Sequence, residues 1–289
     1  MPQPVPRTSD PSLVKGIVEE HGACVLDLSH EIEAPSATGT VQVKAEGAAA
    51  GAAIADAEYY PEMLVIGSEE YQESLLAAAA ALPARIYGGS LLAASGPSQV
   101  PSNDYAQNNF LHSHTDGILS YGEERPDCFF FICGSASDVG GRSLFVDGYE
   151  VLEALRSDPE TRWAAEMLET QSLEWSVPTE YDGHDAKGKG EPFMRSPIVT
   201  RSPTGRVAVV GAYRNNQHVP DDCENPQRAE EMIQLWHDKV QEIEDLTPLT
   251  PLAPGEVAIV DNCACCHHPR CPLHATHVSA CLVVVCPPV

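Results

Sequence analysis

Two histidines and one carboxylate in this sequence have the types and spacing of metal ligands. His114 and Asp116 stand two positions apart in HSHTD, residues 112–116. Alternate side chains of an extended strand share one face, so this pair would clamp an ion from one side. A histidine from a second strand would complete the set of two histidines and one carboxylate that binds ferrous iron and leaves positions open for co-substrate and oxygen. His267, downstream of the predicted strand GEVAIVDN, is a suitable third ligand.

Neighbouring histidines offer alternatives to this set. His268 competes with His267, because a shift of one residue along a strand exchanges the two faces. His112 lies on the same predicted face as His114, but one step further out. We expect His112 to belong to the surroundings of the metal, on the substrate side, and not to the ligands.

The stretch DNCACCHHPRC contains a second set of metal-binding residue types. Cys263, Cys265, Cys266 and Cys271, together with the two histidines, could bind zinc or an iron–sulfur cluster. Structural zinc sites prefer two ligand pairs separated by a loop, and this stretch lacks the second pair. We favour packed thiols, because free cysteine behaves as a small hydrophobic residue. A separate Cys/His metal site remains the alternative.

The charge of the chain limits its partners. Seventeen lysines and arginines against 42 aspartates and glutamates give a net charge of −25. Phosphate backbones and anionic lipids repel such a surface, so neither nucleic-acid nor membrane binding is expected. No apolar run approaches the roughly 20 residues that span a bilayer. The expected partner is a small-molecule substrate, and assembly into a homo-oligomer is left open.

Cysteine usage and the N-terminus indicate the compartment. The opening MPQPVPRTSDPSL has no apolar segment of the kind found in secretion signals. Five of the ten cysteines lie between Cys263 and Cys281, whereas disulfide frameworks are typical of small secreted domains. We predict a reduced, cytoplasmic protein.

Predicted strands dominate the middle and the end of the chain, and helices lie early and between them. The apolar run DCFFFICGSA, the alternating GGRSLFVDG and the closing GEVAIVDN and HVSACLVVVCPP are typical of strands. Strict β-α-β alternation is missing, which argues against a doubly wound parallel sheet. The pattern favours a mainly β protein with flanking helices (α+β), built around an antiparallel double-sheet barrel.

Helix signals and composition predict the remaining organisation. SLVKGIVEEH predicts a helix that runs into Gly22, and EEYQESLLAAAAALPARI predicts one that Pro83 ends. NPQRAEEMIQLWHDKVQEIED predicts the longest amphipathic helix. No repeat or linker divides the sequence, so we predict one domain over residues 1–289. It would have an N-terminal arm at 1–11 and an Ala/Gly-rich insertion or lid at about 35–62.

Three motifs in order make the sequence similar to a known superfamily. His114-Thr115-Asp116 matches the first, GGRSLFVD at 140–147 the second, and DNCACCH at 261–267 the third. The chain resembles the Fe(II)/2-oxoglutarate-dependent dioxygenases of the taurine dioxygenase and clavaminate synthase-like superfamily from about residue 12 to its end. The resemblance implies a double-stranded β-helix, or jelly roll.

The resemblance also implies a division of roles. His114, Asp116 and His267 would hold Fe(II), and 2-oxoglutarate would chelate the iron, with the hydroxyl of Ser143 helping to hold its distal carboxylate. O2 would be consumed, and 2-oxoglutarate converted to succinate and carbon dioxide, while a substrate C–H bond is oxidised. Asp116 fills the position that related halogenases leave to chloride, so hydroxylation, desaturation or cyclisation is implied.

The substrate side is implied in the same way. In the family, the region of GAYRNNQHV borders the substrate pocket, so Arg214 and Asn216 could bind a substrate carboxylate. A surface hydrogen-bonding role for both residues is the alternative.

The sequence departs from the family at the last core strand. Members place an arginine at its start to pair with the distal carboxylate. Here the segment is HATHVSACLVVV, and no arginine follows Arg270. Either Arg270 or Arg142 reaches in, or His277 and Ser279 hold the group, or the co-substrate differs.

We therefore predict a non-haem Fe(II) oxygenase, with 2-oxoglutarate as co-substrate, acting on a small molecule such as an amino acid or derivative in specialised metabolism. One alternative is an iron- and O2-dependent oxidase or oxygenase that does not use 2-oxoglutarate. The other is a non-catalytic protein whose Cys/His cluster binds metal.

Overall fold

The structure is a computed structural model, and it describes residues 4–31, 40–43, 63–66, 69–88, 90–99, 113–115, 127–135, 142–176, 192–201, 205–211, 216–270 and 278–285. The strands in chain order are β1 (Arg7–Thr8), β2 (Ala23–Asp27), β3 (Thr40–Val43), β4 (Met63–Ile66), β5 (Ser90–Gln99), β6 (Cys128–Ser135), β7 (Arg142–Asp147), β8 (Leu173–Ser176), β9 (Pro192–Ser196), β10 (Val199–Arg201), β11 (Val207–Val209), β12 (Gln217–His218), β13 (Thr250–Pro251), β14 (Glu256–Asp261), β15 (Cys265–Arg270) and β16 (Val278–Val285). The helices are α1 (Pro11–His21), α2 (Glu69–Tyr87), α3 (Gly148–Ser157), α4 (Arg162–Thr170) and α5 (Pro226–Leu246).

Helix α1 begins and ends where its sequence signals predict. The Asp10 side chain accepts a hydrogen bond of 2.9 Å from the backbone N–H of Ser12, and Pro11 opens the helix. Gly22 takes a left-handed φ of 73° and donates its N–H to the carbonyl of Val18. The chain then enters β2 directly, so this cap sets the angle between α1 and the sheet beneath it.

Helix α2 does not end at Pro83, which corrects the prediction from the sequence. Pro83 lies inside Glu69–Tyr87, although a proline there removes a helical hydrogen bond at a cost of about 3 kcal/mol. Tertiary contacts offset that cost. Leu82 is fully buried in the core, and the guanidinium of Arg85 pairs with both carboxylate oxygens of Glu31 at 2.7 and 2.9 Å. Packing thus holds the last helical turn beyond the proline.

The largest sheet has six strands in the order β1-β2-β14-β6-β16-β5. Its pairings are antiparallel, apart from the parallel pair of β1 with β2. Strand β1 lies within the predicted arm at 1–11, so that part of the arm extends the sheet. Non-consecutive strands lie side by side, which brings the end of the chain into the centre of the sheet.

The two faces of this sheet bury different partners. On one face, Phe130 and Ile259 pack with Val14 and Leu82 from α1 and α2. On the other face, Phe129, Ala258 and Val260 form a separate cluster with Phe145 of β7. Since Phe145 belongs to a different sheet, this second cluster lies between two sheets.

The sheet β13-β7-β15 contributes Phe145 to that cluster, and two further small sheets have the orders β12-β8-β9 and β10-β11. Helices α3, α4 and α5 pack on one face of these small sheets. The large core between them includes Leu144, Trp175 and Trp236. Helix α5 is the longest helix described, as predicted. The predicted combination of strands with flanking helices (α+β) is confirmed.

Two further predictions concern the Ala/Gly-rich insertion and membrane-spanning helices. Within the predicted insertion at about 35–62, residues 40–43 form β3 and pair with β4; the other residues of that segment lie outside the described ones. Among the described residues, no helix combines the length and apolar character needed to cross a membrane.

Candidate active site

The H-x-D segment is fastened to the chain after β11 through its middle residue. The backbone N–H of Thr115 donates to the carbonyl of Gly211 at 2.9 Å. The Thr115 hydroxyl donates to the same carbonyl at 3.0 Å and accepts from the N–H of Gly211 at 3.1 Å. Thr115 is only 2% exposed, so these bonds fix the backbone beside the half-buried His114. The predicted ligand Asp116 lies outside the described residues.

The D-N motif forms a tight turn at the end of β14. Asp261 accepts from the backbone N–H of Cys263 at 2.9 Å, and its carbonyl accepts from Ala264 at 3.1 Å. The backbone N–H of Asn262 donates to the carbonyl of Asp127 at 2.8 Å, and the Cys263 thiol donates to the Asp127 carboxylate at 3.3 Å. Asp127, at the start of β6, therefore holds this turn from the neighbouring strand.

An ion pair covers the same turn. Arg206 contacts the carboxylate of Asp261, whose side chain is 4% exposed while that of Arg206 is 43% exposed. Burial raises the pKa of the Asp261 carboxyl above its ordinary value, and the attraction of Arg206 opposes that rise. Burial raises the pKa of the Tyr149 hydroxyl to about 12, and the nearby charge of Asp261 adds to the effect.

The turn is also bonded to β11 and to the first residue of α3. Val209 of β11 donates its N–H to the carbonyl of Cys263 at 2.7 Å, and Gly148 donates to the carbonyl of Ala264 at 2.6 Å. A Cβ at position 148 would lie 2.8 Å from that carbonyl oxygen, so only glycine fits there. Gly211, two residues beyond Val209, holds Thr115. Residues 209–211 therefore connect the first motif to the third.

The register of β15 on β7 gives the strand positions of the two candidate ligands, His267 and His268, whose side chains lie outside the description. His267 is paired with Phe145, and His268 with Leu144. Phe145 packs between the sheets, whereas Leu144 packs beneath the helices. Paired residues of an antiparallel ladder belong to the same face, so position 267, and not 268, falls on the inter-sheet face of this ladder.

The same alternation sorts the candidates for the co-substrate. Ser143 is paired with Pro269 on the face of Phe145, while Arg142 and Arg270 are paired with each other on the face of Leu144. Ser279 of β16 is paired with Cys133 of β6. His277 lies outside the described residues.

The described part of the cysteine cluster does not resemble a metal site. Burial raises the pKa of the Cys263 thiol, and its Sγ acts as a donor to Asp127. A protonated thiol is a poor metal ligand, because thiolate is the species that binds. The side chains of Cys265 and Cys266 and all of Cys271 lie outside the description. Within the described ranges, no group of three histidine, cysteine or acidic residues is placed to hold a metal.

Of the three predicted substrate-binding residues, the structure describes Asn216, whereas Arg214 and His112 lie outside the described residues. Asn216 is fully buried and donates from Nδ2 to the carbonyl of Ser176 at 2.8 Å. The Ser176 hydroxyl in turn is 2.7 Å from Nε2 of His218. Sequence reasoning did not find Ser176, because this contact joins positions 40 residues apart.

Arg206 and Asp127 were likewise missed. Their contacts with the D-N turn span 55 and 136 residues of sequence, and neither residue belongs to a recognisable spacing. The only sequence signal is indirect: each stands beside an apolar run, VAVVG or CFFFICG, that predicts a strand.

The chain belongs to the family described as taurine catabolism dioxygenase TauD, TfdA family. The family model matches residues 72–279, which include all three motifs and more than half of the chain. The protein is therefore a dioxygenase by family, as the motifs predicted. A comparison with curated protein sequences gives no match.

Solved structures share the fold at low sequence identity. PvcB from Pseudomonas aeruginosa is 16% identical with a TM-score of 0.55, over 96% of this chain and 80% of its own. An asparagine oxygenase in complex with Fe(II), 2S,3S-3-hydroxyasparagine and succinate is 16% identical with a TM-score of 0.57, over 95% and 78%. OrfP in complex with Fe, succinate and (3R,4R)-dihydroxy-L-Arg is 13% identical with a TM-score of 0.55, over 95% and 80%.

These similarities show the fold, and the family shows the kind of enzyme. A second structure of PvcB is described as that of an Fe, alpha-ketoglutarate dependent oxygenase. Iron and a 2-oxoglutarate-type co-substrate, the cofactors predicted from the motifs, are thus those of these relatives.

Proposed function

We propose that this protein is a non-haem Fe(II)- and 2-oxoglutarate-dependent oxygenase that oxidises a C–H bond of a small molecule, an amino acid or an amino-acid derivative. The observation that carries the proposal is the connection made by residues 209–211. One end of this stretch bonds the D-N turn at Cys263, and the other bonds the H-x-D segment at Thr115. The two predicted halves of a metal site, far apart in sequence, are thereby held side by side.

A jelly-roll core in a single domain over residues 1–289 is part of the proposal. The cluster of Phe129, Val260 and Phe145 lies between the six-stranded sheet and the β13-β7-β15 sheet. Helices cover the outer face of each sheet. Two mostly antiparallel sheets that face each other are what a double-stranded β-helix requires.

His114, Asp116 and His267 are proposed to hold the iron. Two imidazoles and one carboxylate suit ferrous iron and leave coordination positions for other ligands. Register supports His267 over His268, because only position 267 falls on the inter-sheet face. When bound, iron together with 2-oxoglutarate and O2 supplies the oxidising chemistry, and the protein positions the substrate and excludes side reactions.

The co-substrate's distal carboxylate is proposed to lie between Ser143 and Ser279. Ser143 shares the face of Phe145, which packs between the sheets. Ser279 is paired with Cys133, and Cys281 with Phe131, two positions further along each strand. Positions 279 and 131 therefore belong to the same face. Arg142 and Arg270 take positions on the other face, so we do not assign them this role.

The substrate class is proposed from the relatives and the substrate-side residues. The asparagine oxygenase and OrfP hold hydroxylated asparagine and arginine in their structures. Arg214, His112 and Asn216 are proposed to line the corresponding part of this site.

A second candidate function is favoured by one observation of the sequence. Residues 271–289 contain neither arginine nor lysine, so the last strand offers no cation for a distal carboxylate. An iron- and O2-dependent oxygenase that does not use 2-oxoglutarate would need none. The Cys/His metal-binding alternative is disfavoured, because the Cys263 thiol already donates a hydrogen bond to the Asp127 carboxylate.

Anaerobic titration of the full chain with Fe(II) and then 2-oxoglutarate tests the proposal. We expect a visible charge-transfer band of the chelate, and, on adding oxygen, succinate release coupled to oxygen uptake. The same titration of His114→Ala and Asp116→Ala should give no band. Iron binding without a band, and oxygen uptake that ignores added 2-oxoglutarate, would select the second candidate.

A further inference from the structure

Asn216 has a buried acceptor atom that nothing in the described part of the chain uses. The residue is 0% exposed, and its Oδ1 has no hydrogen-bond partner there. Its Nδ2 is committed to the carbonyl of Ser176. Rotating the amide by half a turn would bring oxygen against that carbonyl oxygen, so the hydrogen bond fixes which atom is left over. The group available to a ligand is an acceptor.

The strand that follows Asn216 is β12, and one side of it faces the helices. Gln217 is paired with Trp175, which packs beneath the helices with Trp236. The amide of Gln217 also lies on that side, with Oε1 3.0 Å from Nε2 of His237 on α5. Asn216 directly precedes β12, and its Nδ2 contacts the carbonyl of Ser176, the residue that follows Trp175 on β8. Successive residues of a strand alternate between faces, so Ser176 belongs to the face of β8 turned away from the helices.

Asn216 is linked to the candidate site through the chain. Gly211, five positions before it in the sequence, is bonded to Thr115 of the H-x-D segment. Nδ2 of Asn216 contacts the carbonyl of Ser176, whose hydroxyl is 2.7 Å from Nε2 of His218.

We propose that Asn216 is a substrate-binding residue whose Oδ1 accepts a hydrogen bond from an N–H donor of the substrate: an ammonium, guanidinium or amide nitrogen. This inference rests on the proposed function, and it changes the role expected from the sequence, where Asn216 was paired with a carboxylate. A carboxylate offers no proton to an acceptor, whereas nitrogen donors do. The net charge of −25 also favours the approach of cationic molecules over anionic ones.

Calorimetric titration of the full chain under anaerobic conditions, with Fe(II) and 2-oxoglutarate present, tests this proposal without relying on turnover. The probes are the twenty L-amino acids and, for those that bind, the analogue in which each N–H donor group in turn is replaced by hydrogen or a methyl ether. We expect removal of one nitrogen donor to weaken binding by tenfold or more. Equal binding of all such analogues, or no binding by any of the twenty, would overturn the proposal.

Substitutions at position 216 test whether Asn216 is the residue that accepts a hydrogen bond from the substrate's nitrogen donor. Asn216→Leu is close in size and removes the acceptor, so it should lower the affinity for the intact probe at least tenfold and leave the donor-free analogue unchanged. Gln217→Met, on the helix side of the same strand, should bind both as wild type does. Wild-type affinity in folded Asn216→Leu would refute the assignment.

If Asn216→Leu does not fold, the comparison of analogues on the wild-type protein decides alone. Failure of this inference can be told apart from failure of the proposed function. A charge-transfer band with no dependence on the nitrogen donor overturns only the role of Asn216. Donor-dependent binding that Asn216→Leu abolishes, without any band, overturns only the use of iron and 2-oxoglutarate.

Discussion

Val209 donates its backbone N–H to the carbonyl of Cys263 at 2.7 Å. Through this bond β11, which carries no motif of its own, holds the D-N turn. Strand β15, which contains His267 and His268, begins directly after that turn. Two residues after Val209, Gly211 holds the segment of the other predicted histidine. The arrangement of the two motifs therefore depends on residues between them as much as on the motifs.

Thr115→Val should loosen the H-x-D segment. Valine has nearly the same shape but cannot accept from the N–H of Gly211, which then loses its partner in a buried place. We expect a loss of about 1–3 kcal/mol in the free energy of unfolding, measured by urea denaturation, and weaker Fe(II) binding. Thr115→Ser keeps the hydroxyl and should retain iron affinity. Equal iron affinity in both variants would show that the bonds are not needed to position His114.

Gly148→Ala should disturb the contact between α3 and the D-N turn. The added Cβ would lie 2.8 Å from the carbonyl oxygen of Ala264, and such overpacking costs typically about 1–3 kcal/mol. Gly16→Ala is the matched control, because nothing lies within 4 Å of a Cβ at that helical position. Alanine there should stabilise the protein by about 0.5–1 kcal/mol. Opposite shifts of the thermal midpoint are expected, and a stable Gly148→Ala variant would contradict the close approach.

Asp261 should make stability depend on pH above the ordinary carboxyl range. Burial raises its pKa above 3.8 in the folded state, so the folded protein binds the proton more tightly than the unfolded chain. Its contribution to stability is fully present below 3.8 and is lost as pH rises through the folded pKa. Arg206 limits this loss. The difference in unfolding free energy between wild type and Asp261→Asn, measured from pH 3.5 to 7, should therefore fall with rising pH, and a flat difference would contradict the raised pKa.

His267 and His268 should respond differently to the same substitution. Register predicts that His267→Ala abolishes stoichiometric Fe(II) binding and that His268→Ala retains it. Cys263→Ala should also keep its iron, because that thiol is bonded to Asp127. Metal content after anaerobic loading and desalting measures all three. Loss of metal from Cys263→Ala with retention in His267→Ala would restore the cysteine-cluster alternative.

Ser143→Ala and Ser279→Ala should each raise the KM for 2-oxoglutarate more than they lower kcat. Loss of one hydrogen bond to a charged group is worth about 1.5–3 kcal/mol, or about a tenfold to hundredfold change. Arg142→Ala and Arg270→Ala should leave that KM within about twofold, because both positions fall on the helix side of the ladder. The reverse pattern in steady-state kinetics would mean that an arginine holds the distal carboxylate.

Local sequence signals predicted several helices and strands of this fold, and one wrong prediction shows their limit. The cap at Asp10, the left-handed Gly22 and the apolar runs of β6 and β14 act over a few residues, so their consequences are visible in the sequence. The end of α2 was predicted wrongly at Pro83. The contacts that outweigh the proline, such as the pair of Arg85 with Glu31, join positions 54 residues apart.

The sequence by itself determined the family, through motifs such as His114-Thr115-Asp116, and the chemical character of the predicted site, because a metal site restricts the residue types it can use. It favours His267 over His268, but it fixes neither the strand face of these positions nor which atom of Asn216 is free. Tertiary structure determined these two features: the register of β15 on β7 assigns position 267 to the inter-sheet face, and one hydrogen bond to Ser176 leaves an oxygen as the remaining group. Pairing across distant strands sets these choices, and no local pattern records it.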